Sequence, residues 1–203
     1  MPRPAPDPGE RLPLSFYIRS VTAVARDLLG RHLRLGDVVL RITETEAYGG
    51  PKDTASHARS GPTPRNRVMW EEGGRIYVYF CYGMHNMLNV ISGPEDRAEG
   101  ILIRSCEPVE GLEAIRARRG GLEGPVLLTG PGKVAQALAL DVSWTRHRLY
   151  EPGGLELLAG TPPGRVLTGP RVGVDFASAA DRDRPWRFAV ADTPWVSHRA
   201  RLG

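Results

Sequence analysis

The amino-acid sequence predicts a single α+β domain, a curved and mostly antiparallel β-sheet with helices packed on it. Three observations carry that prediction. Period-two apolar runs recur and are joined by short turns, as around Leu35-Gly36-Asp37. Helical patterns stand apart from them, at Ser20 to Gly30, Glu110 to Arg119 and Val134 to Leu140. The 24 glycines and 18 prolines are spread throughout, so no linker, repeat or composition break divides the chain. At 203 residues and 41% hydrophobic, it is long enough to bury one sizeable core.

Residues 1–14 read as a flexible Pro-rich tail, and residues 15–203 as the domain. The first ten residues lack the apolar segment of a secretory signal. Ser15-Phe16-Tyr17 leads into a helix with Ser20 as N-cap, Val21, Val24, Ala25, Leu28 and Leu29 on one face, and Gly30 at its end. Leu33 and Leu35 then turn through Gly36-Asp37 into the central strand, Val38 to Tyr48. With a period of two, one face of that strand carries Val38, Leu40 and Ile42, then Glu44, Glu46 and Tyr48.

Lys52 to Ser60 predicts a helical turn, and Pro62 to Trp70 a second short helix. Arg75 to Tyr82 is a strand with three tyrosines; Asn86 to Ile91 and Gly100 to Cys106 are further strands. Arg104 alternates with Leu102 and Cys106 on the last of these. Glu110 to Arg119 is amphipathic, with Leu112 and Ile115 inward. Thr129-Gly130-Pro131-Gly132-Lys133 opens the helix to Leu140. Leu155 to Leu158, Arg171 to Val174 and Phe188 to Val190 close the chain as short strands.

The net charge is +4 with a pI of about 9.4. Of 27 basic residues only Lys52 and Lys133 are lysines. Guanidinium forks suit phosphates, and the excess of cation favours a polyanionic partner. No run of about 18 apolar residues occurs, so no membrane partner is expected. Cys81 and Cys106 predict two buried free thiols in a reducing, cytoplasmic setting.

Chemistry gathers between Val38 and Arg104. Glu46 ends a strand among tyrosines, where partial desolvation suits a general base. Glu44, on the same face, either couples to Glu46 or pairs with an arginine, and Arg104 is placed to orient either carboxylate. Tyr48, Tyr79 and Tyr82 converge with His57 on what would hold a flat aromatic ligand. Arg59, Arg65, Arg67 and Arg75 flank a loop with Gly61, Pro62 and Pro64, a cationic surface that would track phosphates. His57, Glu46 and Asp53 do not make a metal-ligand set, so neither metal nor organic cofactor is expected.

At these residues the chain resembles the 3-methyladenine (alkyladenine) DNA glycosylase family, bacterial type. The resemblance is carried in order by Glu44-Thr45-Glu46-Ala47-Tyr48, Asp53 through His57 to Arg59, Thr63-Pro64-Arg65-Asn66-Arg67, Tyr77-Val78-Tyr79 and Tyr82-Gly83-Met84 through Asn89. It continues through Arg104 within Ile103 to Glu107, Gly130-Pro131-Gly132-Lys133 with Gln136-Ala137-Leu138, Arg171-Val172-Gly173-Val174 and Pro194-Trp195-Val196-Ser197. Several co-linear motifs over Ser15 to Arg199 are far more specific than any one alone.

The resemblance implies a monomeric base-excision-repair hydrolase acting on double-stranded DNA with alkylated or deaminated purines. By it Glu46 activates water, held also by Arg104 and the Val172 carbonyl. Tyr48, His57 and Tyr79 sandwich the extruded base, and the Asn89 amide on the pocket floor excludes guanine. Tyr82 is the wedge that enters the duplex, with Met84 and His85 beside it. The chain departs from the mammalian pattern at His85, where those members carry a phenol. Thr63, Arg65, Arg67, Lys133 and Gln136 are candidate backbone contacts. With neither lysine in the acid-and-tyrosine group, strand cleavage through a Schiff base is not expected.

Three other readings compete with it. A binding module would hold DNA without releasing bases. A nucleoside hydrolase would need neither the Tyr82 wedge nor the arginines, and a metal-dependent nuclease would be sensitive to chelators.

Overall fold

A computed structural model describes residues 9–203, and the first part of the expected N-terminal tail, residues 1–8, lies outside them. The rest of that stretch is not a tail. Leu12 is buried in the core, Arg11 bridges to Leu158, and the Arg11 guanidinium pairs with Glu156 at 2.5 Å. Backbone hydrogen bonds from Gly9 and Leu12 to the Ala159 and Leu157 carbonyls, and from the Ala159 amide to the Glu10 carbonyl, lay the segment along the sheet.

Two short helices follow, α1 (Leu14–Tyr17) and α2 (Val21–Asp27). Val21, Val24, Ala25, Leu28 and Leu29 are all buried, as the 3.6-residue period requires. Ser20 stands at the N-cap of α2, but its side chain makes no capping bond. Gly30 turns the chain with φ of 81° into the hairpin of β1 (His32–Leu35) and β2 (Val38–Tyr48). Then come β3 (Ile76–Cys81), β4 (His85–Ser92), β5 (Glu99–Glu110), α3 (Leu112–Arg118), α4 (Pro131–Ala137), β6 (Glu156–Leu158), β7 (Val166–Gly169), α5 (Ala179–Arg182) and β8 (Arg187–Val190). Lys52 to Ser60 and Pro62 to Trp70 supply only single 3-10 turns, His57–Ser60 and Arg67–Trp70.

Every ladder is antiparallel, and the sheet runs β3-β4-β5-β2-β1-β6, with β8 joining β2 and carrying β7. β2 is therefore the hub. β5 pairs along nearly all of one edge, while β1 takes the first half of the other and β8 the second. Arg171 to Val174 forms no strand; Val166–Gly169 pairs with β8 instead. Leu112 is exposed, leaving Ile115 as the fully buried residue of α3.

The register between β2 and β5 breaks at the point that matters. Ile42 faces Cys106, Glu44 faces Ser105, and Thr45 faces Ile103, so each strand carries one extra residue in turn. Such bulges exchange the two faces of a strand. Before the break Val38, Leu40 and Ile42 belong to the main core; after it Ala47 does, while the Thr45 hydroxyl donates to the Ala25 carbonyl of α2 at 2.8 Å. Glu44 and Glu46 do not continue the face of Ile42. They lie on the opposite side, where Arg104 and Ser105 reach them. Cys106 parts from Arg104 for the same reason and joins Ile101 and Ile103 in the core. Cys81 is only half-buried, unlike the buried thiol expected.

Candidate active site

Glu46 has no exposed surface. Its Oε1 accepts the Val172 backbone N–H at 2.8 Å, and its Oε2 accepts the Tyr48 hydroxyl at 2.8 Å. The Arg104 Nε lies 3.5 Å from Oε1. Tyr48, Arg104 and Val172 all line a cavity of about 450 Å³. The carboxylate is thus held by three groups that are themselves the cavity wall. At Val172 it is the amide, not the carbonyl, that touches the acid.

Glu44 takes up most of the remaining polar groups on that side. It accepts from Ser105 Oγ at 2.6 Å, Arg187 Nε at 2.6 Å, Ser197 N at 2.8 Å and Ser197 Oγ at 3.0 Å, with Arg104 Nε at 3.2 Å. Of the two roles open to Glu44, pairing with arginines is the one seen. Arg187 and Ser197 are sequence-remote residues that the strand pattern gave no means of finding.

Aromatic groups build the wall beside Glu46. The His57 ring meets Tyr79 edge-on at 4.6 Å and Tyr77 at 6.0 Å, with Nδ1 3.3 Å from the Tyr77 hydroxyl. Burial, and after it the charges of Arg65 and Arg59, push the His57 pKa down to about 4, so the ring is neutral near pH 7. Burial likewise raises the phenol of Tyr48, helped by the Glu46 carboxylate, and that of Tyr79. Both phenols keep their protons, and Tyr48 remains a donor to Glu46. The Arg171 guanidinium lies 4.8 Å from the Tyr48 ring centre. It is fully buried, bonded to both Asp53 oxygens at 2.6 and 2.9 Å and to the carbonyls of Ala47 and Asp181. Arg171 therefore ties the Tyr48 strand end to the Val172 loop. Asn89 lines the cavity and donates its Nδ2 to the carbonyls of Tyr77 and Met87.

The cavity mouth is cationic and aromatic. Tyr82 is 81% exposed at the tip of the β3–β4 hairpin with φ of 55°, a left-handed conformation that strains a non-glycine residue. Met84 is exposed beside it, and the His85 ring packs on Gly132, where an added Cβ would meet it at 2.8 Å. Buried Asn66 staples the cationic loop by donating to the carbonyls of His57 and Gly61. Its Oδ1 accepts the Thr63 N–H at 2.6 Å, which leaves Arg65 and Arg67 exposed on either side. Lys133 lines the same cavity as Tyr48, Tyr79 and Arg104, so the expectation that neither lysine belongs to this group does not hold for Lys133. Gln136 is exposed, yet its amide is engaged by the Arg119 guanidinium and the Arg118 carbonyl. Arg119, Tyr77 and Phe176 line the same cavity and were not singled out from the sequence.

Among the described residues no three His, Cys, Asp or Glu gather in metal-holding range, and no helix is long and apolar enough to cross a membrane.

Residues 15–194 match the model of the methylpurine-DNA glycosylase family. The chain is 56% identical, over 94% of its length and 95% of the other's, to a Nitrosococcus oceani protein named as a candidate 3-methyladenine DNA glycosylase. It is 51% identical to the DNA-3-methyladenine glycosylase of Arabidopsis thaliana, over 92% of this chain and 74% of that one. A Carboxydothermus hydrogenoformans protein named like the first shares 40% identity over 93% and 99%. On these grounds the chain belongs to the methylpurine-DNA glycosylase family.

Proposed function

We propose that this chain is a monofunctional DNA glycosylase of base-excision repair. It extrudes alkylated purines from double-stranded DNA and hydrolyses the N-glycosidic bond, leaving an abasic site. The observation that carries the reading is the placement of Glu46. A buried carboxylate is fixed by Tyr48, Val172 and Arg104, and those three groups belong to the wall of a cavity of about 450 Å³, roomy enough to admit a base.

In this reading a water bound against Glu46 gives up a proton to it and attacks C1′ as the purine departs. The carboxylate also stabilises the positive charge that develops on the sugar. Arg104 and Val172 keep the acid in one orientation, so little reorganisation is needed at the moment of reaction. Tyr48, His57 and Tyr79 hold the base; because His57 is neutral, a cationic purine meets no imidazolium there. Asn89 presents its amide at the floor. Tyr82 fills the place of the extruded nucleotide, and Thr63, Arg65, Arg67 and Lys133 follow the phosphates, with Gln136 supporting Arg119.

The test is release of free methylated purines from alkylated duplex DNA, resolved by chromatography, with borohydride present in a parallel reaction. We expect released bases, an abasic strand and no trapped protein–DNA adduct. DNA bound without base release would favour a binding module, and an adduct lost in Lys133→Gln would make the enzyme bifunctional.

A further inference from the structure

We propose that Phe176 and Arg59 form a second grip on the damaged strand. The Phe176 ring lies against the deoxyribose beside the extruded nucleotide, and the Arg59 guanidinium holds the adjacent phosphate. The inference rests on the DNA-glycosylase reading; it adds Phe176, which no motif in the sequence indicated, and gives Arg59 of the expected cationic surface a particular phosphate.

Phe176 is 63% exposed and lines the same cavity as Tyr48, Arg104 and Val172. Exposure alone would mean little. Here the ring is already part of a pair, because the Arg59 guanidinium carbon sits 4.8 Å from its centre. The loop beneath is anchored. Val174 and Ala177 close a small apolar cluster with Ala55, against which Tyr48 packs. The Ser178 amide donates to the Thr54 hydroxyl at 3.0 Å, and the Thr54 amide and hydroxyl donate to Asp181. An exposed ring on a fixed loop can bind with little further loss of conformational freedom.

The charges around it point to an anion. Arg59 contacts the Phe176 ring and, at 3.5 Å, the Thr54 carbonyl, and neither neutralises it. Its charge is felt in the cavity, since it helps depress His57. Asp175, the nearest carboxylate in sequence, acts on Arg182, which also bonds Asp183. The position of Phe176 then selects the occupant. Val172 touches Glu46, and Phe176 is four residues further along the same loop. If Glu46 acts at C1′, the sugar and its phosphates must pass this part of the rim. A flat apolar ring with a guanidinium fork over it matches a sugar–phosphate unit better than a base edge.

Such a contact is equal in substrate and abasic product, so it should alter binding and not the chemical step. The test measures the Kd of the full chain for a duplex with a stable abasic-site analogue across a salt series, and single-turnover base release at saturating enzyme. We expect Phe176→Ala to weaken binding about tenfold, the scale for burying part of one aromatic side chain, with the single-turnover rate and thermal midpoint unchanged. Arg59→Gln should lower the slope of log K against log salt by about 0.9, the value for one lost phosphate contact. Arg59→Lys should keep that slope while losing part of the affinity. Unaltered Kd and slope in both Phe176→Ala and Arg59→Gln would overturn the proposal, as would a Phe176→Ala loss that tracks a lower thermal midpoint. If wild-type protein binds the duplex with these dependences but releases no base, the glycosylase reading fails and the grip stands.

Discussion

Glu44 and Glu46 stand two residues apart on one strand, both without exposed surface, and both reach the Nε of Arg104, at 3.2 and 3.5 Å. Their surroundings nonetheless differ in kind. Glu44 is enclosed by Arg187, Ser105 and Ser197, so its lone pairs are spent on fixed protein donors. Glu46 has two neutral donors, Tyr48 and Val172, and both belong to the cavity wall. The first arrangement welds the C-terminal segment to the sheet. The second fixes a carboxylate directly behind the wall of a space that a substrate can enter, through groups that line that space. Equal burial, then, says nothing about which acid is chemical; the partners and the neighbouring space decide it.

Substitutions that separate structure from chemistry should expose the difference. The largest effect on base release is expected at Glu46. Gln keeps the size of the side chain but cannot accept the water proton, and the rate should fall by about 10²–10⁴-fold in single-turnover assays. Glu44→Gln removes one charge from a buried group of two arginines, which typically costs about 3–5 kcal/mol of stability. Chemical denaturation should show it, and the folded fraction should keep most of its rate.

Tyr82→Ala addresses extrusion. Without the wedge the nucleotide returns to the stack, and release from paired duplex should drop about 10- to 100-fold, less for a mismatched lesion that is cheaper to extrude. Equal losses on both substrates would remove the wedge role. Tyr48→Phe keeps the stacking ring and deletes the bond to Glu46. A hydrogen bond to a charged group contributes about 1.5–3 kcal/mol, so the rate should fall tenfold or more while affinity for an abasic-analogue duplex is kept.

The last test is a pH dependence, read on stability and not on rate. His57 has a folded pKa near 4 against the ordinary 6.5, so the unfolded chain binds more protons between those values. Stability contributed by the neutral ring is complete above about pH 6.5 and is lost as pH falls toward 4. The thermal midpoint should decline over that window, and His57→Gln should flatten the decline.

Much of this was legible in local pattern. The helix face Val21 to Leu29, the Gly36-Asp37 hairpin and the tyrosines of β3 follow from periodicity and turn chemistry, and they settle the α+β class. The strand face of β2 was legible only as far as Ile42. Alternation cannot reveal a bulge, because the extra residue is defined by the partner strand, and the reading of Glu44, Glu46 and Cys106 relative to the core failed there. Residues 9–14 read as a tail because one leucine and one arginine look like linker composition until Glu156 is placed beside them. Arg187 and Ser197 lie 143 and 153 residues from Glu44; Ser197 was legible only as the end of a motif, and nothing local marks Arg187. Arg171 was legible only as part of a motif, since its partners Asp53 and Tyr48 meet it through the fold.

The most direct measurement crosses the two acids. Glu44→Gln and Glu46→Gln are prepared side by side, and each is given both a denaturation curve and a single-turnover rate on the same methylated duplex. Glu46→Gln should unfold near the wild-type midpoint and release almost no base, while Glu44→Gln should unfold much earlier and release base at close to the wild-type rate while folded. The reverse pattern, an active Glu46→Gln beside a stable but inactive Glu44→Gln, would contradict the assignment of Glu46 as the base.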